Sequence, residues 1–290
     1  MTDGGNGGDA GNCHVQWIGG APVYLARPFD FTFLDDYGAV LSVVKNGGGS
    51  GNMCLCVEDG GKKYFVKYAG APIAGIDAGA IAQAIEWLKN ASRIYVDLAH
   101  ENLITFVRGE AAGGGYLNVF EWVDAECVGY PDPPSRRRFL NLPAAAKMRA
   151  FGAILDFHAH VAERGYVAID FYADQILYDF KNARTIVCDI DFYQKSPYYG
   201  DMGPWGSANF VSPEECAPGS RIDEITMVYT MGATAFSIFA DYVRAPEAWT
   251  LGKALYGAAA KAVSDDRGRR QQSIREFMAE WAAAGAAEYI

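Results

Sequence analysis

The sequence lacks the features that mark a nucleic-acid-binding or membrane protein. Basic residues are in the minority, with 25 Lys and Arg against 35 Asp and Glu, so the net charge is −10. A binder of nucleic acid or of an anionic membrane needs a basic face, and we expect neither partner. The uncharged segment Ile225–Ala240 is interrupted by threonines and is shorter than the roughly 20 apolar residues of a membrane helix.

The sequence also lacks paired cysteines and a secretion signal. Its six cysteines are scattered without a C-x-x-C pair, which disfavours both a disulfide framework and a zinc site. Residues 1–12 are rich in glycine, have neither a basic start nor an apolar stretch, and are predicted to form a disordered tail. Thiols that stay reduced indicate a cytoplasmic protein.

What is present indicates a globular α+β protein. The chain has 290 residues, half of them hydrophobic, which is enough for two domains or for one domain with two lobes. Residues 13–122 are β-rich, with strands predicted at 39–44, 53–57 and 64–68 and a helix at 78–98. Residues 123–290 are mostly helical, with a long helix predicted at 144–164.

The β-rich region carries a glycine hairpin, a lysine and a glutamate in that order. The hairpin Gly47-Gly-Gly-Ser-Gly-Asn52 joins two predicted strands, and glycine lets backbone N–H groups approach a phosphate closely. Lys67 stands on the third strand, in the sequence Phe-Val-Lys. Glu86 is the only acidic residue in the middle of the helix that follows.

The helical region carries acidic residues at two separate points. Asp170 is followed by Asp174 and Gln175, and Asp191 comes 21 residues after Asp170 with Asp189 close by. Further on, the sequence Ser-Pro-Glu ends at Glu214.

Taken in order, these features resemble the protein-kinase-like fold over about residues 39–280. They match, with departures, the family's G-x-G-x-x-G loop, its V-A-I-K lysine, and its H-R-D-x-x-x-x-N, D-F-G and A-P-E motifs. The departures are Asn52 for the third glycine, Tyr172 for the usual lysine, Gln175 for Asn and Tyr193 for Gly, with Ala168 and Ile169 replacing the His and Arg. The resemblance implies a bilobal protein, with a β-rich N-lobe at 13–122 and a mostly helical C-lobe at 123–290.

The resemblance also implies a role for each residue in transfer of the γ-phosphate of ATP or GTP with Mg²⁺. Asp170 would accept the proton of the acceptor hydroxyl, and Lys67, braced by Glu86, would hold the α- and β-phosphates. Asp191 and Gln175 would bind the metal, with Asp174 as a rival ligand. The glycine loop would cover the phosphates, and it comprises Gly47, Gly49, Ser50, Gly51 and Asn52.

Two further pairs of residues follow from the same resemblance. The backbone of Glu121 and Val123 would bind the purine as the hinge, with Asp124 or Glu126 within reach of the ribose. Glu214 would pair structurally with Arg270 or with Arg269.

Three functions remain open from the sequence. The first is a phosphotransferase acting on a hydroxylated small molecule, and the leading acceptor is an antibiotic, with a lean toward nucleoside antibiotics of the capuramycin type. It is favoured by Tyr172 and by the absence of an Arg before Asp170. Without that arginine, the sequence shows no residue to bind a phosphorylated activation loop. The second is a Ser/Thr protein kinase, favoured by the Ser-Pro-Glu sequence, and the third is an inactive nucleotide-binding pseudokinase.

Overall fold

The protein is a mixed α+β protein with several antiparallel sheets. The computed structural model describes residues 13–47, 51–129, 134–200 and 206–287, so the predicted tail at 1–12 lies outside it. The chain divides into two compact units. Unit 1 comprises Met1–Arg93 and Thr105–Trp122, and unit 2 comprises Ile94–Ile104 and Val123–Ile290. The segment Ile94–Ile104, which lies within the predicted N-lobe, therefore belongs to unit 2.

Unit 1 is built on a five-stranded antiparallel sheet in the order β3-β4-β5-β7-β6. Its strands are β3 (Ala39–Gly47), β4 (Asn52–Asp59), β5 (Lys62–Ala69), β6 (Phe106–Ala112) and β7 (Gly115–Glu121). A separate hairpin is formed by β1 (His14–Ile18) and β2 (Ala21–Leu25). Three of the hairpins in unit 1 turn through a two-residue loop, which needs positive φ at both positions. Gly-Gly pairs at 19–20, 60–61 and 113–114 adopt this conformation.

The two outer strands of this sheet are irregular. The register between β3 and β4 shifts at two points, and that between β6 and β7 shifts once. Each shift leaves one residue without a partner across the ladder, as a β-bulge does. These residues are Leu41, Val44 and Val107, and all three side chains are exposed.

The two faces of the sheet have different coverings. One face carries Met53, Leu55 and Val66 and forms the main apolar core of unit 1 with residues of the β1–β2 hairpin. The other face packs Ala69 against Ala84 and Leu88 of helix α1 (Ala78–Asp97). The first four turns of α1 belong to unit 1, and its last residues, Ile94–Asp97, belong to unit 2.

Unit 2 has five helices in the part of the chain that the structure describes. They are α2 (Pro134–Leu140), α3 (Ala144–Glu163), α4 (Glu224–Ala240), α5 (Lys253–Ala262) and α6 (Ile274–Ala287). Helix α4 contains the uncharged run of the sequence, and every residue from Thr226 to Ala240 is buried. Asp223 caps its N-terminus by accepting the N–H of Ile225. No helix among residues 13–47, 51–129, 134–200 and 206–287 is both long and apolar enough to cross a membrane.

Two small antiparallel sheets complete unit 2. One has the order β11-β10-β8 and the other pairs β12 with β9. Their strands are β8 (Glu126–Cys127), β9 (Tyr166–Val167), β10 (Ile176–Asp179), β11 (Arg184–Val187) and β12 (Gln194–Lys195).

Candidate functional site

Lys67 lies in the middle of the unit 1 sheet, where the neighbouring strands enclose it. Its Cα partners are Cys54 on β4 and Asn118 on β7, so the three side chains share one face of the sheet. Residues of this face pack against α1, and Lys67 is 6% exposed. An ammonium group held this way is restricted in its motion, which suits a group that positions a ligand's charge.

The glycine hairpin joins β3 to β4 beside this face. Gly47 pairs with Asn52, and Gly51 has a φ of +71°, a conformation that favours glycine. Gly49 and Ser50 lie outside the described residues. The side chain of Asn52 is buried, and its Oδ1 accepts no hydrogen bond from any residue that the structure describes, which leaves an acceptor atom at the base of the hairpin.

Glu86 does not occupy the place expected of a brace for Lys67. Its carboxylate lies 4.0 Å from the Lys89 ammonium, and its side chain is 67% exposed. A carboxylate paired with an ammonium that is 6% exposed would itself be largely buried, so the structure does not support this prediction. Glu86 is a surface residue because it stands on the outer side of α1, while Ala84 and Leu88 face the sheet.

A polar contact that the sequence analysis missed fixes α1 to the sheet instead. Asn118, the cross-strand partner of Lys67, donates to the carbonyl of Leu88 at 3.0 Å. Its Oδ1 accepts from Ser92 Oγ at 2.6 Å. Gly109 is required beside it, because a Cβ there would lie 2.4 Å from Asn118 Oδ1. No sequence motif marks Ser92, Gly109 and Asn118, which come into contact only when the helix packs on the sheet.

The two predicted hinge residues stand at the end of β7. Glu121 is the last residue of the strand, and its N–H donates to the Thr105 carbonyl at 2.9 Å. Its carboxylate pairs with Lys62 at 3.0 Å. Val123 is the first residue of unit 2 after this strand. Purine binding by either backbone stays a prediction.

In unit 2 the β10–β11 hairpin brings the two acidic loops together. Ile176 pairs with Val187, so the start of β10 lies beside the end of β11. The loop before β10 contains Asp170, and the loop after β11 contains Asp191. The N–H of Cys188 donates to the carbonyl of Gln175 at 2.9 Å and continues the pairing into both loops. Residues 21 positions apart in sequence are thus neighbours at one end of a hairpin.

Asp170 has an unusual backbone held by the Gln175 side chain. Its φ is +65°, which non-glycine residues seldom adopt. The Gln175 amide donates to the Asp170 carbonyl, and its Oε1 accepts from the Tyr172 N–H at 2.7 Å. Gly206 passes so near that a Cβ there would lie 2.8 Å from Asp170 Oδ1. Gln175 therefore shapes the loop, and its binding of a metal stays a prediction.

The acidic residues of the second loop differ in their surroundings. Asp189 is exposed and has a φ of +55°. Asp191 is buried, and its Oδ1 accepts from the Tyr95 hydroxyl at 3.2 Å. The same hydroxyl accepts the N–H of Ile190 at 3.2 Å, so Tyr95 fixes this loop from both sides. Tyr95 comes from the last turn of α1, a contact that sequence spacing did not reveal.

Charge around Tyr172 shows that the acidic side chains face a common region. Burial and, to a smaller extent, the nearby carboxylates of Asp170, Asp174 and Asp189 together raise the pKa of the Tyr172 hydroxyl to about 12. Asp170 and Asp189 therefore both lie near Tyr172. Asp174 is closely packed, because a Cβ at Gly129 would lie 1.9 Å from its Oδ1.

These carboxylates suit a hard divalent cation, although they do not form a closed cage. Mg²⁺ commonly takes only one or two protein carboxylates and completes its octahedron with water and phosphate oxygens. Asp191 and Asp189 offer such oxygens on one loop. Within the described ranges no group of three or more His, Cys, Asp or Glu side chains is arranged to hold a metal. The carboxylates therefore suit a divalent cation whose other ligands are the phosphate oxygens of a bound nucleotide.

A buried histidine anchors the second loop to α3. His158 Nδ1 lies 2.8 Å from the Ile154 carbonyl, which can only accept, so Nδ1 carries the proton. Nε2 then accepts from the Tyr193 hydroxyl at 2.9 Å. Burial lowers the pKa of His158 to about 4, so the ring is neutral at physiological pH. Both ring nitrogens of His158 are thus engaged by hydrogen bonds within the protein.

The depressed pKa of His158 predicts a pH-dependent stability. The unfolded ring titrates near 6.5 and the folded ring near 4, so stability is full above pH 6.5 and is lost as pH falls between these values. The shift corresponds to about 3 kcal/mol. We expect the unfolding free energy, measured in urea at pH 7 and pH 4.5, to fall more steeply in the wild type than in His158→Gln. The control His14→Gln should follow the wild type, and parallel profiles for wild type and His158→Gln would contradict the assignment.

The structure brings Glu214 and Arg270 together. Arg270 Nη1 and Nη2 donate to the two carboxylate oxygens of Glu214 at 2.7 and 2.9 Å. The Arg270 side chain is fully buried, and Arg267 adds a contact of 3.1 Å to Glu214. Arg269, the alternative in sequence, is 80% exposed and lies near Asp266. Glu214 and Arg270 therefore tie the loop after the acidic segments to the C-terminal helices.

Comparison with known proteins gives no assignment. No protein-family model matches the sequence, and a search of curated proteins finds no significant match.

Proposed function

We propose that the protein is a magnesium-dependent phosphotransferase that moves the γ-phosphate of ATP or GTP to a hydroxyl of a small molecule. The observation that carries the proposal is the pairing of Ile176 with Val187, because it places the Asp170 loop beside the Asp189–Asp191 loop. A general base and metal-binding carboxylates must act on the same phosphate, so they must be neighbours. The enclosed Lys67 and the glycine hairpin supply a second, phosphate-directed group in unit 1.

In this proposal the protein has the bilobal kinase-like plan, and each residue has one task. Lys67 binds the α- and β-phosphates, and the hairpin with Gly47, Gly51 and Asn52 covers them. Glu121 and Val123 bind the purine through their backbones. Asp191 and Gln175, with Asp189 as a second acidic group beside them, would hold Mg²⁺, which neutralises charge on the phosphates when bound. Asp170 orients the acceptor hydroxyl and takes its proton.

The acceptor is proposed to be a hydroxylated antibiotic, in a cytoplasmic resistance enzyme, with capuramycin-type compounds as the first to test. A Ser/Thr protein kinase is the second candidate. It is favoured by the Ser212-Pro213-Glu214 segment, whose glutamate is fixed by the buried Arg270. An inactive nucleotide-binding pseudokinase is the third outcome.

The deciding experiment compares acceptors. The purified protein is incubated with Mg²⁺ and ATP or GTP labelled at the γ-phosphate, with no acceptor, with casein, or with a panel of hydroxylated antibiotics. We expect transfer to at least one antibiotic and none to casein. Transfer to casein alone would replace the first candidate by the second, and nucleotide binding without any transfer would favour the third.

The lysine provides a test of nucleotide binding that does not depend on the acceptor. Lys67→Met should weaken MgATP or MgGTP binding at least about tenfold, because a charge-assisted hydrogen bond to phosphate contributes roughly 1.5–3 kcal/mol. Binding is measured by titration calorimetry. The control is Lys63→Met, because Lys63 lies on the same strand and the same face but is exposed. Equal loss in both variants, or in neither, would remove Lys67 from the site.

A further inference from the structure

Unit 2 contains a small recess next to the Asp170 loop. It has a volume of about 320 Å³, open solvent included, and its walls include Ile169, Tyr198, Glu215, Ser220 and Ile222. Ile169 precedes Asp170 directly, and consecutive Cα atoms lie about 3.8 Å apart. The recess is therefore one residue away from the proposed general base.

The walls of the recess are fixed by backbone hydrogen bonds. The N–H of Tyr198 donates to the Ile222 carbonyl at 2.8 Å, and the N–H of Ile222 donates back at 2.9 Å. This bridge joins the segment after β12 to the segment before α4. Two wall residues of the recess, Tyr198 and Ile222, are thus held together by the backbone, which suits a partly preformed recognition site.

Two adjacent carboxylates line the recess, and they differ in what they bind. Glu214 is engaged by Arg270 through both of its oxygens. Glu215 accepts from the backbone N–H and the hydroxyl of Ser212, each at 2.7 Å, and both bonds end on Oε2. No described residue donates a hydrogen bond to Glu215 Oε1. One carboxylate oxygen, on a side chain already oriented by Ser212, is left for another donor.

We propose that this recess is the acceptor subsite for a positively charged nitrogen, with Glu215 Oε1 as its hydrogen-bonding partner. The proposal rests on the function proposed above and adds the substrate class: an acceptor that carries an amino or guanidino group near the hydroxyl to be phosphorylated. An ionised carboxylate only accepts hydrogen bonds, and its strongest partners are cationic N–H donors.

The environment of Glu215 supports a ligand role over a structural one. Burial raises the pKa of the Glu215 carboxyl, and the neighbouring Glu214 adds to this effect. A carboxyl whose folded pKa is raised stabilises the fold only when protonated, so the ionised form at neutral pH costs stability. A cation bound at Oε1 would offset that cost.

The test measures binding of a simple cation, ethylammonium chloride, to the full chain. NMR spectra of the isoleucine methyl groups report the recess through Ile169 and Ile222, with sodium chloride added to the reference sample at equal concentration. We expect both methyl signals to shift with ethylammonium and not with ethanol. Glu215→Gln should weaken this binding at least tenfold, because its amide keeps the acceptor for Ser212 but places N–H groups where Oε1 stood.

Controls separate a binding role from a folding role. Glu247→Gln changes an exposed glutamate and should bind ethylammonium like the wild type. Glu215→Gln should keep or raise the midpoint of thermal unfolding, whereas removal of a structural contact would lower it. Equal ethylammonium binding by wild type and Glu215→Gln, or equal shifts with ethanol, would overturn the proposal.

The measurement is independent of the proposed function. It needs neither nucleotide nor turnover, so a wild-type protein that transfers no phosphate would contradict the phosphotransferase without changing the ethylammonium result. With an active protein, Glu215→Gln should raise the KM of an amino-bearing acceptor at least tenfold and leave that of an uncharged acceptor unchanged. A rise of both KM values to the same extent would overturn the cation subsite while leaving the phosphotransferase in place.

Discussion

We expect Asp170→Asn to lower the rate of phosphate transfer at least about a hundredfold while nucleotide affinity stays close to the wild-type value. Loss of a general base typically reduces turnover by 10²–10⁴-fold. Nucleotide binding is assigned to other residues, so it should survive. The rate is measured with the best acceptor found and γ-labelled nucleotide, and the affinity by titration calorimetry.

Asparagine is the right replacement because of the backbone at this position. The φ of +65° at Asp170 is tolerated better by Asn than by Ala. The hydrogen bond from Gln175 goes to the main-chain carbonyl, which the substitution keeps. The control is Asp265→Asn, an exposed aspartate in a loop of unit 2. A wild-type rate in Asp170→Asn would remove Asp170 from the mechanism.

The largest effect on stability is expected for Arg270→Ala. Removal of one partner of a buried ion pair leaves an uncompensated charge and costs about 3–5 kcal/mol. The carboxylate left behind is that of Glu214, which is 7% exposed and, among the described residues, would keep an ion pair with Arg267 alone. The unfolding free energy from urea denaturation at pH 7 measures the loss.

The adjacent arginine is the matched control for this substitution. Arg269→Ala should change the unfolding free energy by less than about 0.5 kcal/mol, because its side chain is 80% exposed. Burial alone would raise the pKa of Glu214, but the hydrogen bonds from Arg270 hold it below its ordinary value of 4.5. The pair's contribution is thus full above that value and is lost as pH falls through the lowered pKa. Similar effects of the two substitutions would show that the pair does not stabilise the fold.

Secondary structure was largely predictable because its signals are local. Helix α1 was predicted at 78–98 and observed at Ala78–Asp97, and α3 was predicted at 144–164 and observed at Ala144–Glu163. Apolar spacing defines such helices, and Gly-Gly pairs define the hairpins. The strands run beyond their predicted ends because residues such as Lys62 and Asn52 pair only once a neighbouring strand is in place.

The candidate site was predictable only where sequence spacing limits the geometry. The distance from Asp170 to Asp191 fits a loop, a short hairpin and a second loop, and the structure has this order. Glu86 was misjudged because a period of 3.6 residues does not reveal which face of α1 meets the sheet. Asn118 and Tyr95 were missed because their partners, Ser92 and Asp191, are far away in sequence. Long-range polar contacts leave no periodic pattern.

The irregular outer strands of the unit 1 sheet have a consequence for self-association. A straight edge strand presents a continuous row of N–H and C=O groups onto which another chain can add. At Leu41, Val44 and Val107 the bulges break that row and bend the strand. Apolar side chains are therefore exposed at the points where the edge strands are irregular, and we expect this irregularity to disfavour intermolecular strand addition in concentrated protein.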